Sequence, residues 1–167
     1  MTGVVVWITG RPGAGKSRFA KRTLEALRAA GGRSACRLDG DELREALRPQ
    51  PGYEPEERDA FYATLANLAA LLANQGLVVL VAATAHRSAF RERARERAPA
   101  YLEVFVDIGQ AELERRDPKG LYRAIREGRL SGVPGADVAY EAPERPDVRA
   151  TGGDDSAALE KLIALLL

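Results

Sequence analysis

Short apolar runs alternate along the chain with longer stretches in which apolar residues recur every three or four positions. The apolar runs resemble buried strands and predict strands over residues 3–9, 34–38, 77–82, 102–107 and 148–150. The stretches between them predict helices from Lys16 to the glycines at positions 31 and 32, and over residues 42–47, 56–75, 88–97, 110–116, 121–127 and 156–166. Strands that alternate with helices predict an α/β fold, with a parallel sheet and helices on both faces.

Two segments add detail to this plan. The long helix over residues 56–75 carries an apolar stripe that we expect to face the core, formed by Phe61, Leu65, Leu68 and Leu72. Residues 130–147 are rich in glycine and proline, which predicts a surface loop that acts as a lid. We expect the whole chain, residues 1–167, to form a single domain with this loop as its lid.

Composition excludes several classes of partner. A net charge of +1 gives no electrostatic reason to expect nucleic acid or an anionic membrane. Cys36 is the only cysteine, which excludes an intrachain disulfide and predicts a cytoplasmic location. His86 is the only histidine, so a metal site with several histidines is excluded. No apolar run approaches the ~20 residues that span a bilayer, and we predict no signal peptide.

A glycine-rich loop follows the first predicted strand and fits the pattern G-x-x-x-x-G-K-[ST] at every position. Its glycines let backbone N–H groups turn toward phosphate oxygens, and the helix that begins at Lys16 adds its positive end. Lys16 reaches the β- and γ-phosphates, and the hydroxyl of Ser17 binds Mg²⁺. The motif predicts a three-layer P-loop NTPase fold and a small-molecule kinase that binds ATP and Mg²⁺ through Gly10, Arg11, Pro12, Gly13, Ala14, Gly15, Lys16 and Ser17.

Further blocks resemble the adenylylsulfate (APS) kinase family in order and spacing, over nearly the whole chain. The most specific is Arg116-Asp117-Pro118-Lys119-Gly120-Leu121-Tyr122; the others are Val6-Trp7-Ile8-Thr9-Gly10, Leu38-Asp39-Gly40-Asp41 with Arg44, Glu103-Val104-Phe105-Val106-Asp107, and Tyr140-Glu141-Ala142-Pro143-Glu144. Members of this family transfer the γ-phosphate of ATP to the 3′-hydroxyl of APS and make PAPS. The resemblance implies the same reaction here, in sulfate assimilation.

The chemistry of this transfer points to carboxylates after the second strand. A ribose hydroxyl must lose its proton, and a carboxylate at that place faces the phosphate loop. We predict that Asp41 binds the acceptor as base, Mg²⁺ partner or both, and that Asp39 holds the loop or a metal-bound water. Lys16 is the third predicted catalytic residue, and Ser17 and Asp39 form the predicted metal site. A turn with a helix cap is the alternative for Asp39-Gly40-Asp41.

The resemblance also implies binding roles on both sides of the loop. Arg44 and Arg58 match arginines that hold the anionic end of the acceptor, although solvated helix charge is their alternative. Tyr53 matches an aromatic residue of a family Gly-Phe segment, and Arg87 ends the counterpart of a family Ser-Pro-Tyr-Arg block. Predicted contacts of the nucleotide are Arg18, Arg116, Lys119 and, beside the adenine, Thr151.

Departures from the family pattern lie mainly on the acceptor side. Phe61 stands where the family has Asn, and it is expected to pack in the core. Val133, a predicted acceptor contact, replaces a phenylalanine that stacks on the acceptor adenine. Loss of the ring and of the amide together removes about 2–4 kcal/mol of binding free energy, which weakens the affinity for APS by about a hundredfold. In Thr84-Ala85-His86-Arg87, His86 is either a surface residue or a polar substitute in the acceptor pocket.

Three functions therefore stay open. The protein is an APS kinase, a related kinase for another nucleotide-like or small hydroxyl acceptor, or a nucleotide-binding module without catalysis. The retained Lys16, Ser17, Asp41 and Lys119 argue against the third. The predicted partners are a small-molecule substrate and a second copy in a homodimer, without nucleic acid or membrane.

Overall fold

The computed structural model describes residues Met1–Leu167, and a five-stranded sheet lies at its centre. The strands are β1 (Val4–Thr9), β2 (Ala35–Asp39), β3 (Val78–Ala82), β4 (Tyr101–Val106) and β5 (Val148–Ala150). All neighbours are parallel, in the order β2-β3-β1-β4-β5. Because β1 is the middle strand, the loop that follows it opens at the centre of the sheet's carboxyl edge, where ligands bind in this class of fold.

The helices occupy the stretches between the strands. They are α1 (Lys16–Ala29), α2 (Gly40–Ala46), α3 (Pro55–Ala73), α4 (Ser88–Arg97), α5 (Gln110–Arg116), α6 (Leu121–Arg126) and α7 (Ser156–Leu166). Their bounds agree with the predictions to within two residues, which is the range over which helix ends are set by local caps. None of these helices combines the length and the apolar character needed to cross a membrane.

Two apolar layers enclose the sheet. On one face Val4, Val6 and Ile8 of β1 join a cluster that includes residues of α1 and α7. On the other face Val5 and Trp7 join a cluster that includes residues of α3 and α4. Successive residues of a strand point to opposite faces, so β1 is buried on both sides. The predicted three-layer α/β architecture is thereby confirmed.

The buried face of α3 differs from the predicted stripe. Phe61 and Leu65 are buried as expected, but Leu68 and Leu72 are only half-buried. Alanines fill most of the buried face instead, at Ala66, Ala69, Ala70 and Ala73. Periodicity of the large apolar residues misplaced this face because small side chains, which let a helix lie close to a sheet, carry a weak hydrophobic signal.

Candidate active site

The glycine-rich loop joins the end of β1 to the start of α1. Gly13 and Gly15 have positive φ angles of 82° and 101°, which glycine adopts without steric cost. Gly15 also touches the loop that follows β5. A Cβ atom on Gly15 would lie 2.7 Å from the amide nitrogen of Gly153, and one on Gly153 would lie 2.8 Å from the carbonyl oxygen of Gly15. The two loops therefore pack backbone against backbone.

Charged and polar side chains meet at the end of the glycine-rich loop. The hydroxyl of Ser17 donates to Oδ2 of Asp39, and Nζ of Lys119 pairs with the carboxylate of Asp41. Nζ of Lys16 donates to the carbonyl oxygen of Arg11 at 3.0 Å. Oδ1 of Asp39 accepts the backbone N–H of Asp41 at 3.0 Å. Asp39 thus caps α2, as the alternative interpretation expected, while its second oxygen meets Ser17.

The electrostatic environment of Lys16 is mixed. Burial, and then the charge of Lys119, lowers the pKa of Lys16 to about 8, although Asp41 and Asp39 act in the opposite direction. Two ammonium groups and two carboxylates therefore share one end of the loop. Such a cluster suits a polyanion that brings its own counterion.

Ser17 and Asp39 fit a Mg²⁺ ion that is shared with phosphate oxygens. Mg²⁺ prefers oxygen ligands, and beside a nucleotide it takes only one or two of them from the protein. The hydroxyl and carboxylate that meet at the loop supply this donor set. No group of three or more His, Cys, Asp and Glu side chains offers a competing metal site.

The segment around α6 holds the glycine-rich loop from outside. The phenolic hydroxyl of Tyr122 donates to the carbonyl oxygen of Pro12 at 2.8 Å. The carboxylate of Asp117 accepts the backbone N–H groups of Tyr122 and Arg123, in the first turn of α6, at 3.1 and 2.9 Å. Tyr122 has no predicted role of its own, because its only signal in the sequence is its place in the Asp-Pro-Lys-Gly-Leu-Tyr block.

Two of the residues predicted to contact the nucleotide, Arg116 and Thr151, line one cavity, and Arg18 pairs with a third lining residue. Arg18 pairs with Asp154 at 2.6 Å, and Arg116 pairs with Glu112 at 2.6 Å. The backbone N–H of Thr151 donates to the carboxylate of Asp155 at 2.9 Å. The cavity has a volume of about 240 Å³ and is lined by Arg116, Thr151, Gly152, Gly153, Asp154 and Asp155.

Arg44 lies between two aromatic rings on the opposite side of the glycine-rich loop. Its guanidinium carbon is 4.4 Å from the ring centroid of Tyr53 and 4.0 Å from that of Phe61, and Nη1 donates to the carbonyl oxygen of Gly52 at 2.9 Å. Arg44 is only 8% exposed, so it is not the solvated charge of the alternative interpretation. Phe61 is 2% exposed, which confirms core packing, and its ring also supports the guanidinium.

Arg58 connects α3 to the segment of residues 130–147. Its Nη2 donates to the carbonyl oxygen of Gly132, and its guanidinium carbon is 5.8 Å from the ring centroid of Tyr53. The backbone N–H groups of Gly132 and Val133 donate to the carboxylate of Asp137, each at 2.7 Å. The side chain of Val133 is buried, and the segment contains no helix or strand. These contacts bring four predicted acceptor residues together: Arg44, Tyr53, Arg58 and Val133.

The short turn after β3 carries His86 and Arg87. His86 is 6% exposed, so the surface alternative was wrong, and a polar residue in the acceptor pocket stays a prediction. Its ring packs edge-on against Phe90 with a centroid distance of 5.4 Å. Burial, followed by the charges of Arg58 and Arg87, lowers the pKa of His86 to about 4, so its imidazole is neutral at neutral pH. Arg87 is exposed, and its guanidinium carbon lies 5.7 Å from the ring centroid of Phe90.

Comparison with known proteins identifies the family. The model of the adenylylsulphate kinase family matches residues 2–151. The chain belongs to this family. The adenylyl-sulfate kinase of Enterobacter sp. (strain 638) is 42% identical over 152 residues, which cover 90% of this chain and 75% of the relative. The adenylyl-sulfate kinase of Pseudomonas aeruginosa is 38% identical over 166 residues, which cover 97% of this chain and 84% of the relative.

A solved structure of the same family agrees with the fold throughout. The Mycobacterium tuberculosis APS kinase CysC, in complex with AMPPNP and APS, superposes with a TM-score of 0.90 at 34% identity. The alignment covers 99% of this chain and 98% of that protein. Membership in the adenylylsulphate kinase family confirms the predicted family, the P-loop fold and a kinase that uses ATP with Mg²⁺ to phosphorylate a hydroxyl group. The roles of individual residues stay predictions.

Proposed function

We propose that this adenylylsulphate kinase transfers the γ-phosphate of ATP to the 3′-hydroxyl of APS, giving ADP and PAPS, in sulfate assimilation. The observation that carries the proposal is the combination of two sites. Lys16, Ser17 and Asp39, the predicted phosphate and metal ligands, lie together at the glycine-rich loop. Arg44 and Arg58 stand beside an aromatic ring, Tyr53, on the acceptor side. An acceptor that combines a purine with an anionic group matches a pocket built from arginines and aromatic rings.

The phosphate end of the site binds ATP through backbone and ammonium groups. The positive φ angles at Gly13 and Gly15 turn the loop so that its N–H groups can face phosphate oxygens. Lys16 places its ammonium at the β- and γ-phosphates. Ser17 and Asp39 would hold Mg²⁺, which neutralises phosphate charge and orients the γ-phosphate when it is bound.

The transfer step assigns Asp41 the role of base. As the 3′-oxygen of the acceptor bonds to the γ-phosphorus, the hydroxyl proton passes to the carboxylate of Asp41. The bond from the γ-phosphorus to the β–γ bridging oxygen breaks, and ADP leaves with its electron pair. Lys119, which pairs with Asp41, fixes the orientation of that carboxylate.

Two substitutions on the acceptor side support the alternative acceptor class, a molecule other than APS. The ring of Phe61 lies under Arg44, where the family pattern has an amide side chain. Val133 replaces an aromatic residue, and its side chain is buried. Another nucleotide-like molecule, or a small hydroxyl compound, is therefore the alternative acceptor.

A coupled ADP-release assay over a panel of hydroxyl acceptors separates the two. With APS we expect saturable, Mg²⁺-dependent ADP release, and phosphorus NMR of the product should show a new 3′-phosphate. Lys16→Ala should lose this activity and serves as the control for a contaminating kinase. Lys21→Ala, which changes an exposed lysine of the same helix, should retain it. ADP release that APS does not stimulate, but another acceptor does, would overturn the proposal in favour of the alternative.

Four further proposals concern the whole chain. Residues 1–167 form a single domain, and residues 130–147 cover the acceptor, which the contact between Arg58 and Gly132 supports. A homodimer would cover large apolar side chains that are exposed in the single chain, such as Leu71 of α3. The cytoplasm is the proposed location because Cys36 is the only cysteine. Light scattering of the purified protein tests the dimer.

A further inference from the structure

The turn after β3 has a strained backbone. Ala85 has a φ angle of 42°, in the left-handed region that residues with a side chain rarely adopt. Its side chain is fully buried, so the conformation cannot relax outward into solvent. Strained residues persist only where the surrounding structure fixes them, and they cluster at sites of function. The neighbours of Ala85 therefore show what the strain maintains.

Four parts of the chain fix this turn through its backbone polar groups. One bond comes from β1, one from α3, one from α4 and one from the segment after residue 138. These bonds run from Thr9 Oγ1 to the Thr84 carbonyl at 2.6 Å, from the Ala85 N–H to the Tyr62 hydroxyl at 3.0 Å, from Arg91 Nη1 to the Ala85 carbonyl at 2.6 Å, and from the Glu141 N–H to the His86 carbonyl at 2.8 Å. Such a turn is rigid before any ligand arrives.

Arg91 is the charged side chain among those that bind the turn. It is 2% exposed. Its Nη2 donates to the carbonyl oxygen of Glu141 at 2.7 Å, and its Nε lies 3.5 Å from Oε2 of Glu103. A buried guanidinium is tolerated only when its charge and donors are matched. Arg91 donates to the carbonyl oxygens of Ala85 and Glu141, which belong to separate loops, so it joins the turn to the segment around Glu141.

The turn presents two side chains at the carboxyl edge of the sheet. Arg87 is exposed, and Nδ1 of His86 is buried without a hydrogen-bond partner. Buried polar atoms without a partner are rare in folded proteins. An unsatisfied ring nitrogen on a strained turn, next to an exposed arginine, is the arrangement expected of a turn that faces a ligand.

We propose that Tyr62 and Arg91 are positioning residues for the acceptor, which hold the strained turn so that His86 and Arg87 are oriented before the acceptor binds. The inference rests on the proposed function, because it takes Arg87, whose binding role the family resemblance implies, as a contact of the same acceptor. A prearranged site loses less conformational freedom on binding. Proline at position 85 would be incompatible with this turn, since proline has no N–H and cannot adopt a positive φ angle.

Steady-state kinetics of two variants test the proposal. Tyr62→Phe removes only the hydroxyl that accepts the Ala85 N–H, and Arg91→Lys keeps the charge but cannot reach both carbonyl groups. We expect each variant to raise KM for APS by roughly fivefold to tenfold, the loss that one hydrogen bond represents. KM for ATP should change less than about twofold in both.

Matched controls separate positioning from general destabilisation. Thr23→Val removes a buried hydroxyl bond within α1, and Arg93→Lys alters a neighbour on α4 that pairs with Asp59; neither touches the turn, and both should leave KM for APS unchanged. Ala85→Gly, in which glycine adopts a positive φ angle without strain, should also leave KM for APS unchanged. Equal increases in the KM values of APS and ATP, or none in either, would overturn the positioning role.

Amide hydrogen exchange tests the rigidity of the turn without any acceptor, so this inference and the proposed function can fail separately. Wild-type protein that APS does not stimulate would overturn the acceptor assignment. The rigidity of the turn is then read directly from amide exchange of residues 84–87 in the protein without ligand. Tyr62→Phe should accelerate exchange of the Ala85 amide by roughly tenfold, whereas unchanged protection would overturn the claim that Tyr62 holds the turn.

Discussion

At the scale of the residue, Lys16 couples phosphate binding to pH. Its pKa is lowered to about 8 by burial and by Lys119, and only the protonated amine attracts phosphate. We expect the affinity of the free protein for Mg·ATP to fall as the pH rises through about 8. Between about 8 and the ordinary value of 10.5, the unfolded chain binds more protons than the folded one, so the free energy of unfolding rises over the same range.

Calorimetric titrations with Mg·ATP and denaturant unfolding, repeated across this pH range, check both signs. In Lys16→Ala the pH dependence of ATP affinity should disappear. A wild-type affinity that stays constant across the range, or an unfolding free energy that falls in step with it, would contradict the electrostatic picture of Lys16.

The carboxylate of Asp41 carries the second prediction at this scale. Asp41→Asn keeps the size of the side chain but loses the charge and the basicity, so kcat should fall by ~10²-fold or more. Mg·ATP affinity should change little, because Asp41 has no contact with the glycine-rich loop other than through charge. Glu42→Gln on the same helix is the control. Rapid-quench measurements of a single turnover isolate the chemical step, and near-normal turnover would transfer the role of base to Asp39.

At the scale of the element, α3 supplies a platform for the acceptor arginine. Phe61→Leu keeps most of the buried apolar volume but removes the ring face 4.0 Å from Arg44. We expect KM for APS to rise by about threefold to tenfold, with less than about 1.5 kcal/mol lost from the free energy of unfolding. Kinetics with APS and a urea unfolding curve measure the two effects.

Phe61→Asn, which brings back the amide of the family pattern, is the informative comparison. Because Phe61 is buried, this variant should lose about 3–5 kcal/mol of unfolding free energy, as large-to-small core changes do. A stable Phe61→Asn protein with improved kcat/KM for APS would contradict the platform and restore the interpretation that the missing amide limits acceptor binding.

The same helix shows what the sequence could and could not predict. The bounds of α3 and the burial of Phe61 follow from local periodicity, and the glycine-rich loop was recognisable because its chemistry lies within eight consecutive residues. The contact of Tyr62 with Ala85 joins residues 23 positions apart, and no local pattern announces it. The surface alternative for His86 failed for a related reason: four separated parts of the chain fix the turn in which it is buried. Contacts made only by the tertiary fold leave no periodic signal.

At the scale of the whole molecule, the site spans the entire carboxyl edge of the sheet. Asp39 ends β2 at one edge, and Thr151 follows β5 at the other. The contact of Gly15 with Gly153 ties the central loop to the β5 end of this edge. Phosphate binding and cavity shape on the nucleotide side should therefore change together when that contact is disturbed.

Gly153→Ala tests this connection. Its Cβ would lie 2.8 Å from the carbonyl oxygen of Gly15, so one loop must move. We expect the unfolding temperature to fall by about 2–8 °C and Mg·ATP binding to weaken. Gly152→Ala is the matched control, because its nearest neighbour is Cδ1 of Ile108 at 3.8 Å. Differential scanning calorimetry and ATP titration of both variants decide the matter, and equal behaviour of the two would contradict the backbone contact.

The bond from Arg58 to the carbonyl oxygen of Gly132 has a consequence for selectivity. In the free protein Nη2 of this guanidinium already has a neutral partner from its own chain, and an acceptor oxygen that takes the same N–H must compete with it. A hydroxyl or amide oxygen merely exchanges one neutral partner for another. A phosphate or sulfate oxygen gains a charge-assisted bond of roughly twice the strength. The protein's own backbone thus competes for this guanidinium, and anionic acceptors displace it more readily than uncharged ones.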